Sequence, residues 1–356
     1  MSASSQAAFD ALRAAQRQEG WIPLERRRML LASLKEALLA RRQEIVAALE
    51  ADFGGRHAVE TLAGEVLTVA RALTLNRRKL KRWARPRRAR MTLPFWPARA
   101  RVVPRPKGVV GIVAPWNYPL QLSLWPLADA LAAGNRVAVK LPEATPRTSA
   151  LIAALLRETL GEQLVQPVEG GPEVAAAFTR LPWDHLLYTG STAVGRAVLQ
   201  AAAESLTPTT LELGGKCWTL VTADADLEAA AEAILKGKIL NGGQTCLAPD
   251  TVLLAVKPQL WREAAGEVSQ ALAADAVIVS IAAGVPAAEI SKAFGGRAVA
   301  RIMPTTAAAI GQGTASLYAT DPAAAARAQV LFAAVGAVVE LENEELMHAA
   351  TAVSGS

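Results

Sequence analysis

The chain has 356 residues, 52% of them hydrophobic and 20% charged. That is enough apolar material for about two domains of roughly 150 residues, and it excludes a disordered or collagen-like polymer. Two cysteines exclude a disulfide scaffold and suit a reducing compartment, so a cytoplasmic protein is expected. The net charge of +6 is unevenly spread: residues 251–356 hold six Lys/Arg and nine Asp/Glu, which leaves +9 on residues 1–250.

The first twenty residues are polar and amphipathic and lack the apolar core of a signal peptide. No run of about 18 uninterrupted apolar residues suggests a membrane span, and no membrane partner is expected. Residues 22–83 predict long amphipathic helices, with Leu30, Leu31, Leu34, Leu38 and Leu39 at helical spacing. The run from Arg77 to Arg90 has nine basic residues in fourteen. It reads as a solvated helix end entering a proline-broken connector. A run of this kind can also contact nucleic acid or anionic lipid, but no nucleic-acid-binding signature accompanies it and no nucleic acid is expected as partner. Between Pro86 and Pro106 the pattern becomes extended, with Thr92-Leu93 and Arg101-Val102-Val103 as short strands.

From Gly108 the rhythm changes to short β-branched runs, GVVGIVAP, RVAVKLP, VQPVEG, HLLYTG and TPTTLEL, separated by helical stretches such as Leu120–Ala133 and Ser149–Leu160. Such alternation predicts parallel βαβ units, whose ligands bind outside the carboxyl ends of the strands. The special residues fall there: Pro115-Trp116-Asn117, Lys140, Gly190-Ser191 and Glu212 each end a run. A G-x-G-x-x-G fingerprint is missing. Beyond Asp250 the alternation resumes in smaller, Ala-rich elements. The fold class expected is α/β: N-terminal helices, a Rossmann-like parallel sheet with flanking helices, then a second, smaller α/β segment. The domains read as 1–107 (helices and connector), 108–215 (Rossmann-like, cofactor-binding), 216–250 and 251–356.

Cys246 sits in NGGQTC, a polar Gly-containing loop where a thiolate nucleophile can be reached, although a lone cysteine also suits a buried packing position. Cys217 opens the apolar run CWTLVT and reads as packing. Glu212, followed by two glycines, suits a general base or a solvated strand end. Asn117 suits an oxyanion donor or a turn before a Pro-started helix. Lys140 suits a phosphate or ribose ligand or a surface lysine, and GSTAVG (Gly190 to Gly195) enters a helix whose amides favour phosphate. The three histidines and two cysteines are too widely spaced for a metal site.

Together GVVGIVAPWNYP, AAGNRVAVKLPEATP, YTGSTAVG, LELGGK and GQTC resemble the aldehyde dehydrogenase superfamily over about residues 10–250, roughly 70% of the chain. The segment leading into PWNYP looks most like the branch with coniferyl aldehyde dehydrogenases, which implies aromatic or longer-chain aldehydes. The resemblance implies that Cys246 forms a thiohemiacetal, that Asn117 and the Cys246 backbone N–H hold the oxyanion, and that hydride passes to NAD or NADP. Glu212 then activates the water that hydrolyses the thioester. It further implies Lys140 and Glu143 at the adenosine ribose, and Ser191 with the Gly190–Gly195 turn at the pyrophosphate. Trp116, Leu213 and Gly214 complete the cofactor side. A relative of this kind should continue past Asp250 into the rest of a catalytic domain. That part would include an E-x-F-G-P-type segment at the nicotinamide ribose and a strand used to pair subunits into a homo-oligomer.

From about Thr251, TVLLAVKPQ, VIVSIAAGVP, ARIMPTTAAAIGQGTASLYA and TAVSGS instead resemble pyrroline-5-carboxylate reductase, with its M-P-N-T-P signature altered to Met303-Pro304-Thr305-Thr306-Ala307. The dinucleotide loop and the helical domain of that family are missing, so reductase activity is not expected. The chain reads as a chimera joined near Asp250. The alternative to a working dehydrogenase is an inactive or nucleotide-binding-only protein.

Overall fold

The computed structural model describes residues 3–95, 97–215, 217–221, 225–254, 261–272, 275–282, 284–305, 313–333, 336–347 and 349. The chain divides into two compact units, Met1–Gly214 and Gly215–Ser356.

In the first unit the apolar spacing that predicted helices produces α1 (Ala3–Glu19), α2 (Leu24–Ala40), α3 (Arg42–Phe53) and α4 (Ala58–Thr61). α4 runs through a π-turn, Leu62–Val66, into α5 (Leu67–Trp83). A two-stranded antiparallel ribbon follows, β1 (Arg87–Ala89) against β2 (Ala100–Val102). Thr92-Leu93, expected as a strand, is not one: Leu93–Phe95 forms a 3₁₀ turn. The reason is local, since Pro94 has no N–H for a ladder and its fixed φ suits a turn. The elements then alternate: β3 (Val109–Val113), α6 (Pro119–Ala133), β4 (Arg136–Lys140), α7 (Pro146–Leu160), β5 (Val165–Val168), α8 (Pro172–Thr179), β6 (His185–Gly190), α9 (Thr192–Ala203) and β7 (Thr209–Leu213). The helices α6, α7 and α8 each start with proline, whose missing N–H costs nothing in the first turn.

The strands form one parallel sheet in the order β5-β4-β3-β6-β7. Side chains alternate between its faces. Val110, Ile112, Val137, Val139 and Val165 join α2, α3, α5, α6 and α7 in one core, whereas Val109, Val113, Ala138, Leu186 and Tyr188 join Phe9, Leu12, Phe178 and Trp183 in the other. The N-terminal helices, which the sequence set apart as a segment of their own, are therefore part of the sheet's packing. Both faces are covered, which is why the strands read as continuous apolar runs.

The second unit has a parallel pair, β8 (Cys217–Val221) with β9 (Pro249–Leu254), and α10 (Leu227–Ile239) between them in sequence. Further on come α11 (Trp261–Val268), β10 (Ile278–Ser280), α12 (Ala287–Ala293), β11 (Val299–Pro304), β12 (Gly313–Ala319), α13 (Pro322–Phe332) and β13 (Gly336–Glu340). β10 to β13 make a four-stranded sheet in chain order, with β11 and β12 antiparallel and the outer pairs parallel. Its own small cores gather Ala300, Ile302, Leu317, Ala324 and Ala328 on α13, and Trp261, Ile290 and Phe294 on α11 and α12. Several motif residues, among them Lys216, Lys257-Pro258, Thr306-Ala307, His348 and Ser354-Gly355-Ser356, lie outside the described residues.

Candidate active site

The first unit's sheet starts in its middle. From β3 the chain steps to β4 and β5 on one side, then to β6 and β7 on the other, so the loops after β3 and β6 part at a switch point. In sheets of this kind the crevice between those loops is where ligands enter.

Four strand ends carry the predicted residues to this one edge. After β3, Trp116 is 45% exposed, with its ring 6.4 Å from that of Phe53, and Asn117 is half-buried. At the end of β4, Lys140 is 2% exposed and its Nζ donates to the Leu141 carbonyl (2.7 Å) and to Glu143 Oε2 (2.9 Å). The sheet fixes the stem and these two acceptors fix the head. Partial burial pushes the Glu143 carboxyl up, but the Lys140 hydrogen bond and charge outweigh it and hold the group below its usual value. Glu143 thus presents an anionic acceptor suited to sugar hydroxyls.

After β6, Ser191 caps α9: its Oγ accepts the Val194 N–H at 3.3 Å. The remaining first-turn amides and the positive end of the helix suit a phosphate. Behind this turn Tyr188 is buried, and burial raises its phenol. A Cβ on Gly190 would lie 2.3 Å from Tyr188 Oη, and one on Gly195 would lie 2.7 Å from Leu213 Cδ2. Glycine therefore lets α9 approach β7 closely. Glu212 is exposed on β7, in register with Thr189, and Gly214 follows in open space. Every cofactor-side residue expected from the sequence thus lies at or next to this edge.

One pair at this edge was not anticipated. Glu65, fully buried in the π-turn, pairs with buried Arg56 at 2.5 Å and accepts the N–H groups of Leu120 (2.8 Å) and Gln121 (2.9 Å). It therefore caps α6 directly after the Trp116-Asn117 turn. Burial pushes the Glu65 carboxyl up, against the pull of Arg56 and of the two amides. Arg56 lies over the rings of Phe53 (5.0 Å) and Tyr118 (4.9 Å). In sequence both residues sit in a charged amphipathic pattern and look like solvent-facing groups.

Cys246 belongs to the second unit. The loop before it takes three left-handed residues in a row, Asn241 (φ 53°), Gly242 (φ 62°) and Gly243 (φ 81°). Asparagine and glycine tolerate that conformation best, which accounts for the N-G-G. Thr245 Oγ1 donates to the Leu240 carbonyl (3.1 Å), and Ala248 N to the Thr245 carbonyl (3.0 Å). Cys246 itself is exposed as a free thiol. Cys217, read as packing, is half-buried, and its thiol donates to the Cys246 carbonyl oxygen at 3.4 Å.

By fold and by the chemistry of that edge, the first unit is a doubly wound α/β protein with a switch-point crevice. The chain belongs to the aldehyde dehydrogenase family, whose sequence model matches residues 2–279, past Asp250 where the quoted motifs stop. It is 47% identical over 224 residues (63% of this chain, 47% of the relative) to a probable coniferyl aldehyde dehydrogenase of Pseudomonas aeruginosa. It is 42% identical over 247 residues to the coniferyl aldehyde dehydrogenase of a Pseudomonas species, covering 69% of this chain and 51% of that one. The chain thus spans about half the length of these curated relatives. Among solved structures, the substrate-bound state of Staphylococcus aureus AldH superposes with a TM-score of 0.70 at 33% identity, covering 74% of this chain and 57% of that one. An indole-3-acetaldehyde dehydrogenase complexed with NAD+ gives 0.67 at 26% identity, covering 76% and 55%.

Proposed function

We propose that the chain binds NAD or NADP at the switch-point edge of Met1–Gly214 and serves the oxidation of an aromatic or longer-chain aldehyde to its acid. The observation that carries this reading is the arrival of Asn117, Lys140 with Glu143, Ser191 and Glu212 at the carboxyl ends of four strands of one parallel sheet. The donor set fits a dinucleotide: an anionic acceptor beside an ammonium for ribose, and a Ser-capped helix start for phosphate. When bound, the nicotinamide supplies the hydride acceptor that the oxidation needs.

The protein's own groups do the rest. The Cys246 thiolate adds to the aldehyde carbon, and the oxyanion so formed takes hydrogen bonds from the Asn117 amide and the Cys246 backbone N–H. Oxidation leaves the acyl group on sulfur as a thioester. Glu212 takes a proton from the water that attacks this thioester, and the carboxylic acid leaves with the thiol restored. The coniferyl aldehyde dehydrogenase relatives support an aromatic substrate class.

A second reading is nucleotide binding without turnover. All of the cofactor-side residues it needs lie in Met1–Gly214, and Cys246 has no part in it. The motifs from residue 251 support a pyrroline-5-carboxylate reductase-like origin for the later part.

Thermal melts with each nucleotide test the binding on which both readings rest. NAD+ or NADP+ at a hundredfold excess over Kd stabilises the folded chain by about 2.7 kcal/mol, and Lys140→Ala weakens that effect. The absence of a shift with either nucleotide would contradict the assignment of the crevice.

A further inference from the structure

The chain has two cysteines, 29 residues apart in sequence. The second unit brings them back together. β8 and β9 run parallel with Cys217 paired to Pro249, and Cys246 stands in the turn that enters β9. Side chains alternate along β8: Trp218 and Leu220 are exposed, whereas Cys217, Thr219 and Val221 turn to the other face. The Cys217 thiol so placed donates to the Cys246 carbonyl oxygen at 3.4 Å.

A carbonyl oxygen lies about 2.4 Å from its own Cα, so the Cys246 Cα is within about 6 Å of the Cys217 sulfur. A disulfide closes Cα separations up to about 6.8 Å. Gly215 borders the same space: a Cβ there would lie 3.6 Å from Cys217 Sγ and 3.7 Å from the Cys246 oxygen. Cys246 is exposed, so its side chain changes rotamer without displacing packed neighbours.

We propose that Cys217 is a resolving thiol for Cys246: a peroxide oxidises Cys246, and the two cysteines then close into a reversible disulfide. The Cys246 thiolate attacks the O–O bond of hydrogen peroxide, which gives a sulfenic acid and releases hydroxide. The Cys217 sulfur then attacks the Cys246 sulfur. The S–S bond forms, the S–O bond breaks, and the oxygen leaves as water with the proton of the Cys217 thiol. Two thiols are oxidised and one peroxide is reduced. Two thiols held in one unit meet at an effective concentration on the order of millimolar, which favours the internal bridge over a link between chains. In the proposed aldehyde oxidation the same sulfur is the nucleophile, so the bridge switches it off and shields it from irreversible oxidation. The bridge itself does not depend on that chemistry.

The test is to treat the reduced full chain with a small excess of hydrogen peroxide, without nucleotide or aldehyde. Free thiols should fall from two to none, and the intact mass should drop by two hydrogens. A digest should contain a peptide cross-linked between Cys217 and Cys246, and dithiothreitol should restore both thiols. Cys217→Ser should instead gain two oxygens at Cys246, and dithiothreitol should not reverse that. A parent chain that gains oxygen while Cys217 stays titratable would overturn the proposal. So would disulfide-linked dimers in place of the internal bridge, full recovery of Cys246 in Cys217→Ser, or thiols that survive the peroxide. The cross-linked peptide of the parent decides the pairing even where the variant does not fold. None of these readouts uses turnover, so a failed bridge and a failed dehydrogenase assay are told apart.

Discussion

At the scale of single residues, the groups facing the crevice and the groups holding it were unequally legible. Asn117, Lys140, Ser191 and Glu212 stand at the ends of β-branched runs, and position alone marks them. Arg56 and Glu65 carry no such mark, because a buried ion pair is written with the same letters as a solvated helix face. Only the fold shows that Glu65 takes the amides of Leu120 and Gln121 and so fixes where α6 begins. Removing one partner of such a pair strands the other charge in the core. Arg56→Ala is therefore expected to destabilise the fold by about 3–5 kcal/mol, read from denaturant unfolding, and to weaken nucleotide binding less than Lys140→Ala does. A loss under 1 kcal/mol would mean that Glu65 is satisfied without Arg56. The same blindness applies to Asn241: N-G-G signals a turn, but not that three consecutive residues are left-handed.

Whole elements followed the sequence wherever a run had one clear period. The five strands β3 to β7 appear where the β-branched runs predicted them, and α6 and α7 where the helical stretches Leu120–Ala133 and Ser149–Leu160 did. Thr92-Leu93 failed because a proline next in line decided the local backbone, and the reversal between β11 and β12 was invisible because strand direction is not encoded in strand pattern. An element-level consequence concerns the start of β6. His185 stands between Lys107 Nζ (3.2 Å from Nδ1) and Thr210 Oγ1 (2.9 Å from Nε2). Burial, assisted by the Lys107 charge, holds its pKa below the ordinary value of 6.5. The unfolded chain thus takes up this proton first as pH falls. His185 accordingly stabilises the sheet above about pH 6.5, and that contribution is lost as pH falls toward the depressed folded value. Melting curves from pH 7.5 to 5.5 should show His185→Gln losing less stability than the parent chain. Equal losses would remove His185 from the account.

For the whole molecule, the organisation is two compact units with cores of their own. The first was legible because both sheet faces are covered and the motifs sit at one edge; in the second, motif and fold information are both sparser. The charge asymmetry between residues 1–250 and 251–356 belongs to this scale too. No helix among the described residues is long and apolar enough to cross a membrane. The measurement that tests the central claim most directly is a stopped-flow absorbance record at the NAD(P)H band. It uses excess cinnamaldehyde-type or benzaldehyde-type substrate, with Cys246→Ala as control. A burst near one equivalent per chain, abolished in the variant, is the predicted result. No burst from a chain that still binds nucleotide would contradict the assignment of Cys246 as the working nucleophile.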